Sequence, residues 1–590
     1  MKIRFNNTTA ILVIIILTQN LMCTRTQALG FDKSKAVYMD KSGRLVYVPV
    51  SEKNDRIIDF SNVGYMGGGV KLPEIPVKTI LHPVKNYTDD APRIQDAVDK
   101  VSRLPMNEYG FRGAVLLTKG TYYLLSSIKI ETSGVVLRGE GNQKSGTKLI
   151  DALKEKNSFV KIVGAGERQE IKDSRSELTD EYVPVGTNIV HAADPRLFKA
   201  GDNVCVFRPG TPEWLHALGT DDLPKDFPQV KDWQPQQYNL AWERKIISIN
   251  EDQITLDAPI VDALNQELSR SFLFKYSFAG RISKVGIENL RLESCYDSTQ
   301  LKDLTLEMVR NGLNSTEPQK DYQKNFADEK HGWIAVEIEK AENCWVKNVT
   351  SVYFGYSCVS INRTSKNVTV QDCEYLEPVS IIQGGRRYSF CIGGQLNLVQ
   401  RCYSKEGRHD FVLQSQTCGP NVFFDCIGEH SWSMTEAHHR WSQGCLWDNV
   451  TVKGPWAWMQ AVNRSSSGSG HGWTGVNMLF WNCDAKFFFI QKPPTGQNFV
   501  IGRNHSGSYD YYKSFVYDFT ETLKWVEFHA KKKFQYENGE TAIGDGFIES
   551  INSPVEPKSL YLSQLKDRLG IDAVKSVLTK KQIQTYLENE

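Results

Sequence analysis

The sequence predicts an all-β chain wound as a parallel β-solenoid. Three observations carry that prediction: a repeat in the middle of the chain, a recurrent Cys or Asn in each copy, and an amphipathic helix ahead of the first copies. Six segments align by eye: Glu342-Asn-Cys-Trp-Val-Lys-Asn-Val-Thr, Ser365-Lys-Asn-Val-Thr-Val-Gln-Asp-Cys, Leu396-Asn-Leu-Val-Gln-Arg-Cys, Pro420-Asn-Val-Phe-Phe-Asp-Cys, Gly444-Cys-Leu-Trp-Asp-Asn-Val and Val476-Asn-Met-Leu-Phe-Trp-Asn-Cys. Taking Asn348, Cys373, Cys402, Cys426, Asn449 and Cys483 as equivalent gives separations of 25, 29, 24, 23 and 34 residues. An earlier copy stands at Val285-Gly-Ile-Glu-Asn-Leu-Arg-Leu. Short β-rich copies at this period form coils that bury their apolar faces on one another, so like residues stack in ladders.

That stacking accounts for the twelve cysteines. Disulfides are the usual expectation for an exported chain, but a ladder position predicts buried free thiols packed as small hydrophobes. The third observation is Asp89-Asp90-Ala-Pro-Arg-Ile-Gln-Asp-Ala-Val-Asp99, a capped helix start with Ile94, Ala97 and Val98 on one face. Residues 165–275 break the rhythm. Asn188-Ile-Val, Gly201-Asp-Asn-Val-Cys-Val-Phe and Gln253-Ile-Thr-Leu-Asp read as strands of an insertion, and Thr211 to Gln237 as a long loop. A second polar insertion spans about 296–330. Loops of this length on a rigid scaffold commonly wall a binding groove. From Ser559 to Glu590, Leu560, Leu562, Leu565, Leu569, Val574, Val577 and Leu578 recur at helical spacing, predicting a helical cap over the C-terminal end.

After the predicted helix come Gly113-Ala-Val-Leu-Leu, Gly120-Thr-Tyr-Tyr-Leu and Gly134-Val-Val-Leu-Arg-Gly-Glu-Gly141. With these, residues 80–505 resemble the pectate-lyase-like superfamily. That resemblance implies a single-stranded right-handed parallel β-helix with an N-terminal capping helix, loop insertions and a short C-terminal helical cap. The resulting division is a signal peptide at 1–28, an N-terminal extension at 29–80, the β-helix at 81–505 and a C-terminal segment at 506–590. The scaffold does not choose a function, because it carries lyases, hydrolases, epimerases and phage tailspikes.

The leader is read from Lys2 and Arg4 ahead of the apolar run Ala10–Thr18, which is too short to span a bilayer, with cleavage near Ala28. Export to the periplasm or medium follows. A lipid anchor at Cys23 is the weaker alternative, because Met22 stands where a small residue is wanted. The formal net charge of +1 supplies no global field for nucleic acid, and no later segment is apolar enough to cross a membrane. Oligomeric state is not legible.

The chemistry concentrates between residues 380 and 475. Five of the eleven histidines (His409, His430, His438, His439 and His471) lie in this stretch, with Arg386, Arg387, Arg408, Arg440 and Arg464, and with Trp432, Trp441, Trp456, Trp458 and Trp473. A solenoid core has no use for clustered imidazole and guanidinium groups, so these are expected to face a groove. Three blocks stand out: Arg386-Arg387-Tyr388, His438-His439-Arg440-Trp441, and Asn463-Arg464 leading to Ser469-Gly-His-Gly-Trp473. The last two, ahead of Trp481-Asn-Cys483, resemble blocks that recur in pectate-lyase-like proteins of polysaccharide-degrading bacteria, and Ser559–Leu569 adds to that likeness.

The reaction that suits such a set is β-elimination on an acidic polysaccharide or oligosaccharide. Arginine neutralises a uronate carboxylate so that the C5 proton becomes acidic, and His or Tyr supplies the base and the acid. A glycosidic O4 gives chain cleavage by a lyase, and a free O4 gives a dehydratase. His439 or His438 is the candidate base, with His471, His409 or Tyr388 as acid. Arg440 and Arg464 are the candidate carboxylate grip, with Arg386, Arg387 and Arg408 in support and Trp441 and Trp473 as sugar platforms. Competing structural readings stand beside these. Only one of His438 and His439 points into the groove if both sit on a strand, Arg386-Arg387 reads equally as a solvated pair, and the two tryptophans read equally as packing residues.

No cofactor or metal site is predicted. Ca²⁺ stays open as an alternative, since Asp372, Glu374, Asp425, Glu429 and Asp448 fall in or beside strands, and no zinc-type ligand spacing is present. The competing functions are a polygalacturonase-like hydrolase, whose paired-Asp block is not apparent, a uronate epimerase, and a non-catalytic carbohydrate-binding solenoid.

Overall fold

The computed structural model describes residues 32–85, 88–303, 324–382, 384–454, 457–504 and 542–588. The leader with Cys23, Trp456, part of the second insertion and the start of the C-terminal segment lie outside the described residues. The chain is a right-handed parallel β-helix. One sheet stacks Ile128–Ile130, Ser158–Val163, Ile334–Glu339, Ser357–Ile361, Tyr388–Ile392 and His409–Leu413 in parallel. A Leu413↔Ala437 bridge carries that face on to Thr435–Glu436, Trp458–Ala461, Phe487–Ile490 and Ala542–Ile543. The other faces are stacked from the repeat segments and the strands that follow them.

The corner between those two faces explains the repeat. Asn289, Asn348, Asp372, Arg401, Asp425, Asn449 and Asn482 all take left-handed conformations, with φ between 47° and 57°, and Gly502 follows at 71°. One left-handed residue per coil turns the chain from one face to the next, and Asn tolerates that region best among residues with a side chain. The register corrects the sequence alignment. Val349, Cys373, Cys402, Cys426, Val450 and Cys483 lie above one another, so the residue that alternates with Cys is aliphatic. Asn348 and Asn449 belong one step earlier, on the corner itself.

The ladder cysteines are buried and unpaired, as expected for this position, and all eleven described cysteines are free. The thiols of Cys373, Cys402 and Cys426 donate to the carbonyls of Gln371, Gln400 and Phe424 at 3.2, 3.4 and 3.3 Å. Each thiol is thereby tied to the carbonyl two residues earlier, a contact that valine cannot make.

The helix Ala91–Ser102 closes the first coils by burying Ala91, Ile94, Ala97, Val98 and Val101; the N-cap residue Asp90 makes no side-chain cap bond, and Asp89, one residue earlier, accepts from the Ala91 N–H at 3.0 Å. The 165–275 insertion is a small antiparallel sheet whose core merges with the outer side of the coils through Trp214, Trp233, Trp242, Trp441, Leu446 and Leu479. The stretch expected as a loop from Thr211 contains a short helix, Pro212–Leu218. Thr211 caps it, proline opens it, and Trp214, Leu215 and Leu218 bury its apolar side.

Three helices end the chain, Leu560–Leu569, Ile571–Val577 and Lys580–Tyr586. They seat along the flank of the coils. Asp448 accepts from the Ser559 hydroxyl at 2.7 Å and the Tyr561 N–H at 2.8 Å, and Asp425 accepts from Gln582 at 2.6 Å. Among the described residues no helix is long and apolar enough to cross a membrane.

Candidate active site

Stacking turns positions far apart in sequence into neighbours. Tyr388 and His409 open adjacent strands and pair in register, and Glu436 pairs with Gln460 on the following coils. At the centre is a hydrogen-bonded chain of three side chains. The Tyr388 hydroxyl lies 2.9 Å from His438 Nε2, and His438 Nδ1 lies 2.6 Å from Glu436 Oε1. With the carboxylate accepting at Nδ1, the imidazole donates there and its Nε2 accepts the phenolic proton. Glu436 is wholly buried, while Tyr388 and His438 keep 8% and 6% of their surface, which leaves these two as the members that an incoming molecule can reach.

The carboxylate is held from both sides. Arg464 Nη1 donates to Glu436 Oε1 at 3.1 Å and to the His438 carbonyl at 3.1 Å. Gln460 donates to the second oxygen and in turn accepts from the Trp458 indole at 3.0 Å. Burial pushes the Glu436 carboxyl up, and the Arg464 charge opposes that shift. The imidazoles stay neutral. Burial, then Arg464, His439 and Arg408, hold His438 well below the ordinary range. His439 is pulled down to about 3 by burial and by Arg440, Arg464 and Arg363, and His471 is lowered by burial and the same arginine-rich surroundings. Burial raises Tyr388, with Arg408 and Arg464 working against it.

Four imidazoles pack edge to face. Ring centroids are 4.6 Å apart for His409–His438, 5.0 Å for His438–His439, 4.9 Å for His439–His471 and 5.3 Å for His438–His471. His409 donates from Nδ1 to the Met434 carbonyl at 2.7 Å, leaving its Nε2 a buried lone pair with no partner among the described residues. The expectation that only one of His438 and His439 faces the site is corrected, since both rings join the cluster. They follow the strand Thr435–Glu436, and Arg440 and Trp441 both take φ 59°, so strand alternation does not apply. The same two residues send Arg440 to Ser469, bonding its hydroxyl at 2.8 Å, and Trp441 into the insertion core.

No family model matches the sequence, and no curated protein matches it. Among solved structures the chain is similar to tailspike gp49 of Pseudomonas phage LKA1, at 12% identity and a TM-score of 0.38 over 70% of this chain and 63% of that one. It is also similar to tailspike gp61 of Pseudomonas phage phi297, at 11% and 0.34 over 70% and 62%. A third is the tailspike of E. coli bacteriophage HK620 in complex with a pentasaccharide, at 10% and 0.33 over 83% and 60%. The chain spans about three fifths of the length of these tailspikes. The likeness is one of fold.

The geometry therefore gathers Tyr388, His409, His438, His439, His471, Arg408, Arg440 and Arg464, and it leaves the other candidates elsewhere. Arg387 is corrected from a candidate ligand to a buried support. It is fully enclosed, takes φ 56°, and donates to Ser380 and to the Glu406 carbonyl. Arg386 forms a bidentate pair with Glu329 at 2.8 and 2.8 Å. Trp441 is wholly buried with its indole on Asp262 at 2.7 Å, and Trp473 donates to the Leu218 carbonyl at 3.0 Å, so both pack the insertion instead of offering a ring to a sugar. His430 stands among Lys405, Glu406 and Glu429.

Sequence reasoning passed over Glu436, Gln460 and Arg363. A signal for Glu436 existed, since it lies only two residues before His438, within reach of that imidazole.

His409, Glu436 and His438 could offer a metal three ligand atoms within 4.8 Å of one another. The set fits poorly. Arg464 Nη1 already lies 3.1 Å from Glu436 Oε1 and 3.3 Å from His438 Nδ1, so a guanidinium occupies the place of a divalent cation. The carboxylates considered for Ca²⁺ are engaged away from this cluster. Asp372 pairs with Arg401, Glu374 accepts from Thr350, Glu429 accepts from Tyr403, and Asp425 and Asp448 hold the C-terminal helices.

Proposed function

We propose that the chain is a carbohydrate-active β-helix enzyme that performs β-elimination on uronic-acid-containing polysaccharide or its oligosaccharides, giving an unsaturated uronate. The observation that carries this reading is the Tyr388–His438–Glu436 chain beside Arg408 and Arg440, which have no carboxylate within ion-pair distance among the described residues. The Tyr388 oxygen removes the C5 proton in the same step in which its own phenolic proton passes to Nε2 of neutral His438, the charge gained by the imidazole being matched by Glu436, so that no free phenolate forms beforehand. The C5–H electrons form the C4=C5 double bond, the C4–O4 bond breaks, and Tyr388, again a phenol, protonates O4. Return of the proton from His438 to Tyr388 restores the site. An arginine on the sugar carboxylate disperses the charge that develops as C5 loses its proton.

Glu436 is the one carboxylate that the described residues place against these imidazoles. Inverting hydrolysis needs two carboxylates held apart around water, so the arrangement favours elimination over a polygalacturonase-like reaction.

The test is incubation with a panel of uronate polysaccharides and their oligosaccharides, following ultraviolet absorbance of the unsaturated product together with reducing ends. Absorbance with new reducing ends identifies a chain-cleaving lyase, and absorbance without them a dehydratase. Reducing ends without absorbance overturn the elimination reading.

A further inference from the structure

The charge around the imidazole cluster is unbalanced, and it is unbalanced in two places. Arg464 is neutralised by Glu436. Arg408, Arg440 and Arg363 have no carboxylate within ion-pair distance among the described residues. Arg408 donates to the Gly384 carbonyl at 2.5 Å and stands in hydrogen-bond reach of Tyr388. Arg440 is held by Ser469, and Arg363 by Gln416 Oε1 at 3.3 Å and the Ser415 carbonyl at 3.0 Å. Gln416 links these last two, since its N–H donates to the Arg440 carbonyl at 3.0 Å while its side chain bonds the Gln237 carbonyl of the insertion at 2.8 Å.

The two groups share no hydrogen-bond partner among the described residues and stand beside different rings: Tyr388, with Arg408, forms a first side of the site at a ring spacing of 5.2 Å from His438, and His439, with Arg440 and Arg363, forms a second side at 5.0 Å from His438. On the second side, Arg440 Nε, His439 Nδ1 and His471 Nδ1 are buried with no partner among the described residues. A cost of this kind persists where a ligand supplies the missing partner.

The loop that completes the second side is pinned by the insertion. Trp233 donates its indole N–H to the Gly470 carbonyl at 3.0 Å, and the Lys231 N–H donates to the Ser469 carbonyl at 3.4 Å. Gly472 has φ 55°, and a Cβ there would come within 2.4 Å of the Trp233 ring.

We propose that the site has two anion subsites: Arg408 beside Tyr388 takes the carboxylate of the reacting uronate, and Arg440 with Arg363 takes a second oxyanion on the adjoining sugar. The inference rests on the uronate reading above and deepens it, since the favoured substrate then carries charge on consecutive sugars. The second oxyanion is a carboxylate or a sulfate ester, which share the chemistry that a guanidinium recognises.

The test is equilibrium binding to the full chain carrying Tyr388→Phe, which prevents turnover. Three uronyl disaccharides serve as probes: one with a single carboxylate, one with a second carboxylate on the neighbouring sugar, and one with a sulfate ester there. The dianionic probes should bind at least about tenfold more tightly than the monoanionic one, the scale of one charge-assisted hydrogen-bonded contact. Arg440→Gln and Arg363→Gln should abolish that difference while leaving the monoanionic affinity in place, and Arg408→Gln should weaken all three. A preference for one dianionic probe identifies which oxyanion is read. Equal affinity for mono- and dianionic probes, or a uniform loss in Arg440→Gln, overturns the two-subsite inference. Reducing ends without absorbance in the turnover assay would overturn elimination instead and would leave this charge arrangement standing.

Discussion

The role assigned to Glu436 depends on which imidazole nitrogen carries the proton. A carboxylate 2.6 Å from Nδ1 keeps the proton there and leaves Nε2 free to accept from Tyr388. Glu436→Gln keeps the volume but permits the other tautomer, with Nε2 protonated and unable to take the phenolic proton. Turnover should then fall by about 10²- to 10⁴-fold, the usual worth of a positioned acid–base group, with KM little changed. Tyr388→Phe should fall at least as far without loss of binding. If Glu436→Gln raises KM and spares kcat, the carboxylate serves binding and the relay is wrong.

At the scale of the coil, the corner residue does two jobs. Asn482 sits at φ 47°, accepts from the Val555 N–H at 2.8 Å and donates to the Val555 carbonyl at 2.8 Å, while 1% of its surface is exposed. Asn482→Ala removes the partner of two buried backbone groups and keeps a Cβ in a region that alanine disfavours. The expected loss is about 3 kcal/mol of unfolding free energy, read from denaturant or thermal unfolding. Asn482→Gly relieves the conformational part and should lose less. Equal losses would place the whole effect in the hydrogen bonds. Trp447 marks the inner side of the same coils, stacking on Phe423 at 5.6 Å and Phe480 at 4.8 Å, which is why these positions are apolar in successive repeats.

Across the whole molecule, buried titratable groups oppose one another. Burial raises Asp151 and Asp410 to about 6 and Asp448 to about 7, in each case as the leading cause. A carboxyl raised above its unfolded value favours the folded chain while protonated, and that contribution is lost as pH rises from about 4 through its folded value. The lowered histidines of the site act in the other sense, favouring the folded chain above their unfolded range near pH 6.5 and losing that contribution as pH falls. Asp448 can be separated from the rest because it lies beneath the C-terminal helices. Asp448→Asn should gain Tm relative to the parent protein as pH is raised from about 5 to about 8, with the gap flattening above that. A gap independent of pH would show that Asp448 carries no such shift.

Much of the architecture was legible in the chain because a solenoid imposes its geometry locally. Every coil must place a strand, a corner and a small buried residue at the same step, so period, Cys ladder and capping helix all register in sequence. The His and Arg blocks were legible because clustered imidazole and guanidinium groups stand out against the apolar residues of the repeat. Spatial convergence was not. Glu436 joins the imidazoles through neighbouring coils, Arg387 turns inward at a left-handed residue, and Trp441 and Trp473 are claimed by insertion residues 179 and 255 positions upstream. Sequence alone thus determined the fold class and the stretch that holds the candidate chemistry. Which side chains meet there was decided by tertiary stacking, because contacts between coils and insertion depend on register and loop path, which no local pattern encodes.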